Sequence, residues 1–179
     1  LYGLARAGTG DARVCLPGTH AKWARLSRGH LAGFRTMMTG EMFALLGEVS
    51  ILRHTVGISD WSNDDFAAAV AEAHAAPADC LGRLFGLRAG PLLFGAAAPS
   101  GSARLSGLLI GAEIATGMAA GDEPLCLVAT GGMAERYAAA LTALGIDFDR
   151  ADAEDAVRNG LFAMAARIWP ERELLETDA

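Results

Sequence analysis

The sequence has no Cys-x-x-Cys pair, no run of lysine or arginine, and no signal-type start. Its three cysteines, Cys15, Cys80 and Cys126, are scattered and odd in number. That excludes a disulfide framework and points to a reducing, cytoplasmic setting. A net charge of −6 without a local basic patch excludes a nucleic-acid footprint. The opening Leu1-Tyr2-Gly3-Leu4 lacks a charged n-region and a long apolar core. It also lacks an initiating methionine, which leads us to expect a chain that starts partway through a longer protein. The most membrane-like run, Leu105 to Gly121, is interrupted by Glu113 and is short for a span, so a buried helix is expected and no membrane contact. Metal motifs are missing too. His20, His30, His54 and His74 lack zinc spacing. The cluster Asp147, Asp149, Asp152, Glu154 and Asp155 lacks the glycine and terminal glutamate of an EF-hand and reads as a solvated turn before a helix. There is no P-loop and no Gly-x-Ser-x-Gly.

What is there suits a folded domain. Hydrophobic residues make up 52% and charged residues 20% of 179 positions, enough to bury a core in one domain. The chain is organised around Leu16-Pro17-Gly18-Thr19-His20-Ala21-Lys22-Trp23. Strand-like segments flank Pro-Gly-Thr, so a hairpin-like turn is predicted, with Gly18 expected at positive φ. Bare amides, the Thr19 hydroxyl, His20 and Lys22 together suit a phosphate chain. A plain surface hairpin with a solvated lysine is the alternative. Far downstream, Leu125-Cys126-Leu127-Val128-Ala129-Thr130-Gly131-Gly132-Met133 takes an apolar strand into a Gly-Gly turn and a helix.

In chain order, Leu1 to Ala7 reads as a helix tail. Strands are predicted at Arg13–Leu16, Lys22–Leu26 and Leu31–Thr36. A helix then starts with Thr39 as its N-cap. A second helix runs from about Asp64 to His74 and is closed by Pro77. Leu81 to Gly86 is predicted as a third, and Pro91 to Pro99 as an apolar connector. The long helix Ala103–Met118 carries a core stripe of Leu105, Leu108, Leu109, Ala112 and Ala115. The strand Leu125–Thr130, the helix Met133–Leu144, a short strand at Ile146–Phe148 and the helix Ala153–Trp169 complete the order.

This order, a three-stranded meander followed by strands alternating with helices, resembles a ribonuclease-H-like lobe of the actin-like ATPases and sugar kinases. The fold class is therefore α/β, a mixed sheet flanked by helices, with a helical insertion at 53–100. In that superfamily a phosphate loop sits in the first hairpin of the C-terminal lobe, and an adenosine loop with Gly-Gly comes later.

A narrower resemblance rests on Leu16 to Trp23 together with Phe34-Arg35-Thr36-Met37-Met38-Thr39-Gly40-Glu41-Met42-Phe43. Ser50-Ile51-Leu52, Leu105-Ser106-Gly107-Leu108-Leu109-Ile110-Gly111 and Ala129-Thr130-Gly131-Gly132 extend it. These segments resemble the 2-dehydro-3-deoxygalactonokinase family over nearly the whole chain. The resemblance implies ATP- and Mg²⁺-dependent phosphorylation of the C6 hydroxyl of 2-dehydro-3-deoxy-D-galactonate in galactonate catabolism. It also implies that residues 1–179 are the C-terminal lobe of a two-lobe kinase. The family's N-terminal lobe, with its Asp-Trp/Phe-Gly-Thr loop, would be the partner, and a homodimer stays an open option. The catalytic carboxylate would then lie upstream of Leu1, as would the Mg²⁺-organising aspartate.

By this resemblance Gly18, Thr19, His20 and Lys22 are phosphate-binding, and Thr130, Gly131 and Gly132 are nucleotide-binding. Arg35 and Glu41 are candidates for the sugar acid. For His20 an orienting role, for Lys22 and Arg35 a solvated strand position, and for Glu41 a helix-start role remain open. The other function classes are a phosphoanhydride hydrolase and a non-enzymatic nucleotide-binding module of the same superfamily. The Leu-Pro-Gly-Thr-His loop favours the kinase, because such hydrolases carry a Gly-rich loop there.

Overall fold

The computed structural model describes residues 10–56, 61–94, 100–119 and 121–169. Strands β1 (Ala12–Leu16), β2 (Ala21–Ser27) and β3 (His30–Met37) form the predicted antiparallel meander, β1 one residue and β2 and β3 two residues longer than expected. The β2–β3 turn is Arg28-Gly29, with φ of 50° and 74°. Two successive positive φ values match the right-handed twist of a tight hairpin. The Asp11 carboxylate accepts from Arg28 N–H at 2.8 Å and steadies that turn.

Helix α1 (Thr39–Glu48) follows β3, then a 3₁₀ turn over Ile51–His54. Helices α2 (Asn63–Ala75) and α3 (Cys80–Phe94) follow in turn. The long α4 (Gly101–Met118) leads to β4 (Leu125–Val128) and α5 (Gly131–Ala143), and β5 (Asp149–Ala151) precedes α6 (Ala153–Ile168). The five strands lie in the order β3-β2-β1-β4-β5, with β4 parallel to both β1 and β5.

The central strands carry apolar side chains on both faces, and both faces are covered. On one face Cys15, Trp23, Leu125 and Leu127 meet Ile114 of α4 and Tyr137 and Leu141 of α5. On the other, Val14, Leu26, Cys126 and Val128 meet Ala153 and Ala156 of α6. A separate core of Leu52, Ala69, Ala73, Leu84, Leu87, Leu105 and Leu108 joins the 3₁₀ turn, α2 and α3 to α4. Each fully buried leucine contributes about 1.5–3 kcal/mol. α2 approaches α4 at Gly107 and Gly111, where a Cβ would lie 2.5 Å from the Phe66 carbonyl oxygen and 2.4 Å from that of Val70. Buried Arg13 ties the end of α4 to the start of β4. It donates to the carbonyl of Met118 at 2.8 Å and to that of Glu123 at 3.0 and 2.8 Å.

Several expectations are corrected. Thr39 is the first residue of α1 rather than its N-cap, a place taken by Met38 without a side-chain cap, because the Thr39 hydroxyl is drawn to Glu113. Gly18 is not among the positive-φ residues; its place is set by a close approach to Gly40. The third helix runs on through Pro91 to Phe94, since buried Leu84 and Leu87 dock it despite the N–H that proline lacks. The short strand lies at Asp149–Ala151, not Ile146–Phe148, because Ile146 and Phe148 pack on the core from a loop. The helix expected over Leu1–Ala7, the turn at Ser59 or Asp60, and residues 95–99 of the connector lie outside the described residues. Asp152 accepts from the N–H groups of Glu154 and Asp155, so the acidic cluster does open a helix. Among the described residues no helix is long and apolar enough to cross a membrane.

Candidate functional site

The tip of the β1–β2 hairpin is fastened to the start of α1. Glu41 N–H donates to the Thr19 carbonyl at 3.0 Å. His20 Nε2 and Glu41 Oε2 are 2.5 Å apart, and Lys22 Nζ donates to the His20 carbonyl at 2.6 Å. Thr19 and His20 are exposed, while Gly18 is half-buried. The strand pair thus presents its hydroxyl and imidazole outward, over a backbone whose carbonyls are already engaged.

Beneath the hairpin lies a carboxylate that sequence reading treated only as an interruption. Glu113 of α4 is 4% exposed and holds three elements together. Its Oε1 accepts from Trp23 Nε1 of β2 at 2.9 Å. Its Oε2 accepts from the Tyr137 hydroxyl of α5 at 3.0 Å and from the Thr39 hydroxyl of α1. Burial pushes the Glu113 carboxyl above the ordinary glutamate range, and the three donors pull in the opposite direction. Burial beside Glu113 also pushes the Tyr137 phenol far up, which keeps it a donor.

Above this carboxylate a cavity of about 90 Å³ is lined by Gly18, Thr39 and Gly40 on one side and by Met133, Arg136 and Tyr137 of α5 on the other. The hairpin and the first turns of α5 therefore share a floor. The Gly-Gly turn itself opens to both sides of α5. Thr130 and Gly131 line a cavity of about 270 Å³ with Arg150 and Asp152, and Gly132 lines one of about 400 Å³ with Trp61 and Arg136. Gly131 has φ +61°, which disfavours any side chain there. A Cβ at Gly132 would meet nothing within 4 Å.

The sequence profile of the 2-keto-3-deoxy-galactonokinase family matches residues 1–164. The chain belongs to that family. It is 43% identical over 175 residues to a Rhizobium meliloti (strain 1021) protein named probable 2-dehydro-3-deoxygalactonokinase DgoK1, covering 95% of this chain and 57% of that protein. It is 34% identical over 166 residues to the 2-dehydro-3-deoxygalactonokinase of Escherichia coli (strain K12), covering 92% and 56% respectively. The crystal structure of a protein assigned as a 2-dehydro-3-deoxygalactonokinase from Sinorhizobium meliloti superposes with a TM-score of 0.87 at 42% identity, over 94% of this chain and 58% of that one. The chain thus spans a little over half the length of these relatives.

Within this galactonokinase-family chain, the sequence candidates divide into three places. Gly18, Thr19, His20, Lys22 and Glu41 come together at the hairpin tip, where Glu41 is engaged with His20. Thr130, Gly131 and Gly132 stand at the N-terminus of α5. Arg35 lies apart from both, opposite Trp23 in the sheet, on a cavity of about 260 Å³ that Arg13 and Arg25 also line. Sequence reading missed Glu113, Tyr137, Arg136 and Trp61. For Glu113 a signal existed: it is the single acidic residue of α4, and apolar residues flank it.

Proposed function

We propose that this chain is the C-terminal, ribonuclease-H-like lobe of a two-lobe kinase that phosphorylates 2-dehydro-3-deoxy-D-galactonate at its C6 hydroxyl with ATP. The observation that carries the reading is the shared cavity floor. The hairpin and α5 lie far apart in sequence, yet Gly18 and Thr39 face Arg136 and Tyr137 across one space. Family membership then supports the kinase over the hydrolase and the non-enzymatic module.

Phosphoryl transfer depends on positioning and charge neutralisation more than on covalent chemistry. The Thr19 hydroxyl and the hairpin amides would donate to the terminal phosphates, with Lys22 supplying charge. Lys22 Nζ is folded onto the His20 carbonyl and would turn outward to do so. Glu41 would hold His20 Nε2–H and so fix the ring, which makes Glu41 a positioning residue in preference to a sugar ligand. Arg35 keeps the role of carboxylate partner for the sugar acid only if the substrate reaches the Arg13–Arg25 cavity. Thr130, Gly131 and Gly132 would take the nucleoside end, near the positive pole of α5.

The space of about 400 Å³ beside Gly132 would take the nucleoside part of ATP. Among the described residues no three His, Cys, Asp or Glu side chains converge. On the family resemblance, the Mg²⁺-organising aspartate and the catalytic carboxylate would belong to the N-terminal lobe. A cytoplasmic location belongs to the same reading and is supported by Cys15, Cys80 and Cys126 being free thiols.

The test is a coupled assay with ATP, Mg²⁺ and 2-dehydro-3-deoxygalactonate. A form extended by the family's N-terminal lobe should form the 6-phosphate, and residues 1–179 alone should not. Robust turnover by the 179 residues alone would overturn the lobe assignment. No turnover by the folded, extended form would overturn the kinase.

A further inference from the structure

Beside the Gly-Gly turn stands a stack that no step above uses. Trp61, just before α2, contacts Phe66 with ring centroids 5.4 Å apart, and Phe66 is buried in the main core. Trp61 Nε1 donates to Asn63 Oδ1 at 2.8 Å, which leaves the Asn63 amide N–H groups pointing away as donors. The Arg136 guanidinium lies over the Trp61 ring, its Cζ 4.6 Å from the centroid. An exposed tryptophan is thus anchored from within and carries a cation on its face.

Among the described residues that cation has no carboxylate partner. The ion pairs among the described residues do not include Arg136, and its neighbour Glu135 is taken by Arg150 at 2.9 Å. An arginine pinned by a ring but lacking an anionic partner is ready for a planar or charged ligand. The space before it is about 400 Å³ and is lined by Trp61, Asn63, Gly132 and Arg136. That lies within the size of small-molecule sites, about 300–1,000 Å³. Gly132 borders the same space, and neither φ nor packing demands a glycine there. A bare Cα at that point keeps the entrance clear.

We propose that the Arg136–Trp61 stack is the platform for the purine base of the nucleotide, with Asn63 donating to the base edge. The inference rests on the nucleotide reading above and adds to it which residues select the base. A guanidinium plane stacks on the larger purine face and tolerates its ring nitrogens, whereas a lysine ammonium would offer a point charge only. Arg136 also borders the cavity that reaches Gly18 and Thr39, so a base on this platform would direct its phosphates toward the hairpin.

The test is calorimetric titration of the extended, two-lobe protein with ATP and, separately, with inorganic tripolyphosphate. Trp61→Ala, Arg136→Ala and Arg136→Lys should each weaken ATP about tenfold, in line with the loss of one stacking contact. Trp61→Phe should stay near wild type, and tripolyphosphate binding should not change in any variant. If Arg136→Lys restores ATP binding while Arg136→Ala weakens tripolyphosphate equally, Arg136 is a phosphate contact and the platform is overturned. If wild type binds ATP and all four variants match it, the platform fails while the nucleotide reading stands. If the folded wild type binds no ATP, the nucleotide reading falls and the platform with it.

Discussion

Gly40 sits directly against the backbone of Gly18: a Cβ at position 40 would lie 2.6 Å from the Gly18 carbonyl oxygen and 2.8 Å from the Thr19 Cα. The start of α1 and the hairpin tip are therefore fitted backbone to backbone. Gly40→Ala must push one of them aside. We expect a stability loss of about 1–3 kcal/mol, as for other overpacked sites. If the hairpin is the phosphate loop, kcat should fall further than that loss explains. Chemical denaturation beside steady-state kinetics checks both. Unchanged stability would mean that the hairpin moves freely on α1.

Contacts that strengthen as charge develops in the transition state appear in kcat more than in KM. Thr19→Ala and Lys22→Ala should lower kcat in the extended enzyme. A loss of about 10²-fold is expected for whichever makes the contact, by analogy with removing one oxyanion donor. Arg28→Ala removes a positive charge from the turn at the opposite end of β2, away from the hairpin tip, and should leave the rate nearly untouched. Wild-type kcat for all three variants would make the hairpin structural.

The two glycines of the α5 turn should behave differently. Gly132→Val meets no neighbour near its Cβ, so the fold should tolerate it while ATP binding weakens by roughly 1–3 kcal/mol through obstruction of the cavity. Gly131, at φ +61°, should lose stability with any β-branched residue. Calorimetry and thermal denaturation separate the two effects. Unaltered ATP affinity in Gly132→Val would place the nucleotide elsewhere.

Glu113 gives a pH signature. Its carboxyl is raised above the ordinary value of 4.5, chiefly by burial. A raised folded-state value means stability that is fully present below the unfolded value and is lost as pH rises through the folded one. Relative to Glu113→Gln, which does not titrate, wild type should therefore lose Tm as pH increases from about 4 upward. The glutamine variant carries a constant offset for its missing acceptor. A wild-type Tm that instead gains on the variant with rising pH would assign Glu113 a lowered value and contradict this account.

Four of the five strands were legible because their signals are local; β5 was not, because the apolar Ile146 and Phe148 that suggested it pack on the core from the preceding loop. Alternating apolar residues, the Arg28-Gly29 turn and the apolar run Leu125–Val128 each declare themselves within a few positions. The hairpin residues were legible for the same reason, as was the Gly-Gly turn. The floor that joins them was not, because Glu113, Thr39, Trp23 and Tyr137 meet only once four separate elements have packed. Thr39 illustrates the conflict: its local preference is to cap a helix, and a buried carboxylate outbids that preference. Arg136 and Trp61 were invisible for another reason. A lone arginine on a helix and a lone tryptophan in a loop carry no pattern until the fold stacks them.

The parallel contact between β1 and β4 has a consequence for how the chain is made. Arg13, Val14 and Cys15 pair with Leu125, Cys126 and Leu127, across the whole stretch that holds α1 to α4. Closing so long a loop delays the centre of the sheet and slows folding. During synthesis the β1–β3 meander leaves the ribosome well before β4 does, on the order of ten seconds at typical elongation rates. Throughout that interval the β1 edge, with Val14 and Cys15 beside it, stands open and unpaired. Nascent chains stalled before Leu125 should therefore be the species that engages chaperones or aggregates, and release past Val128 should end that exposure.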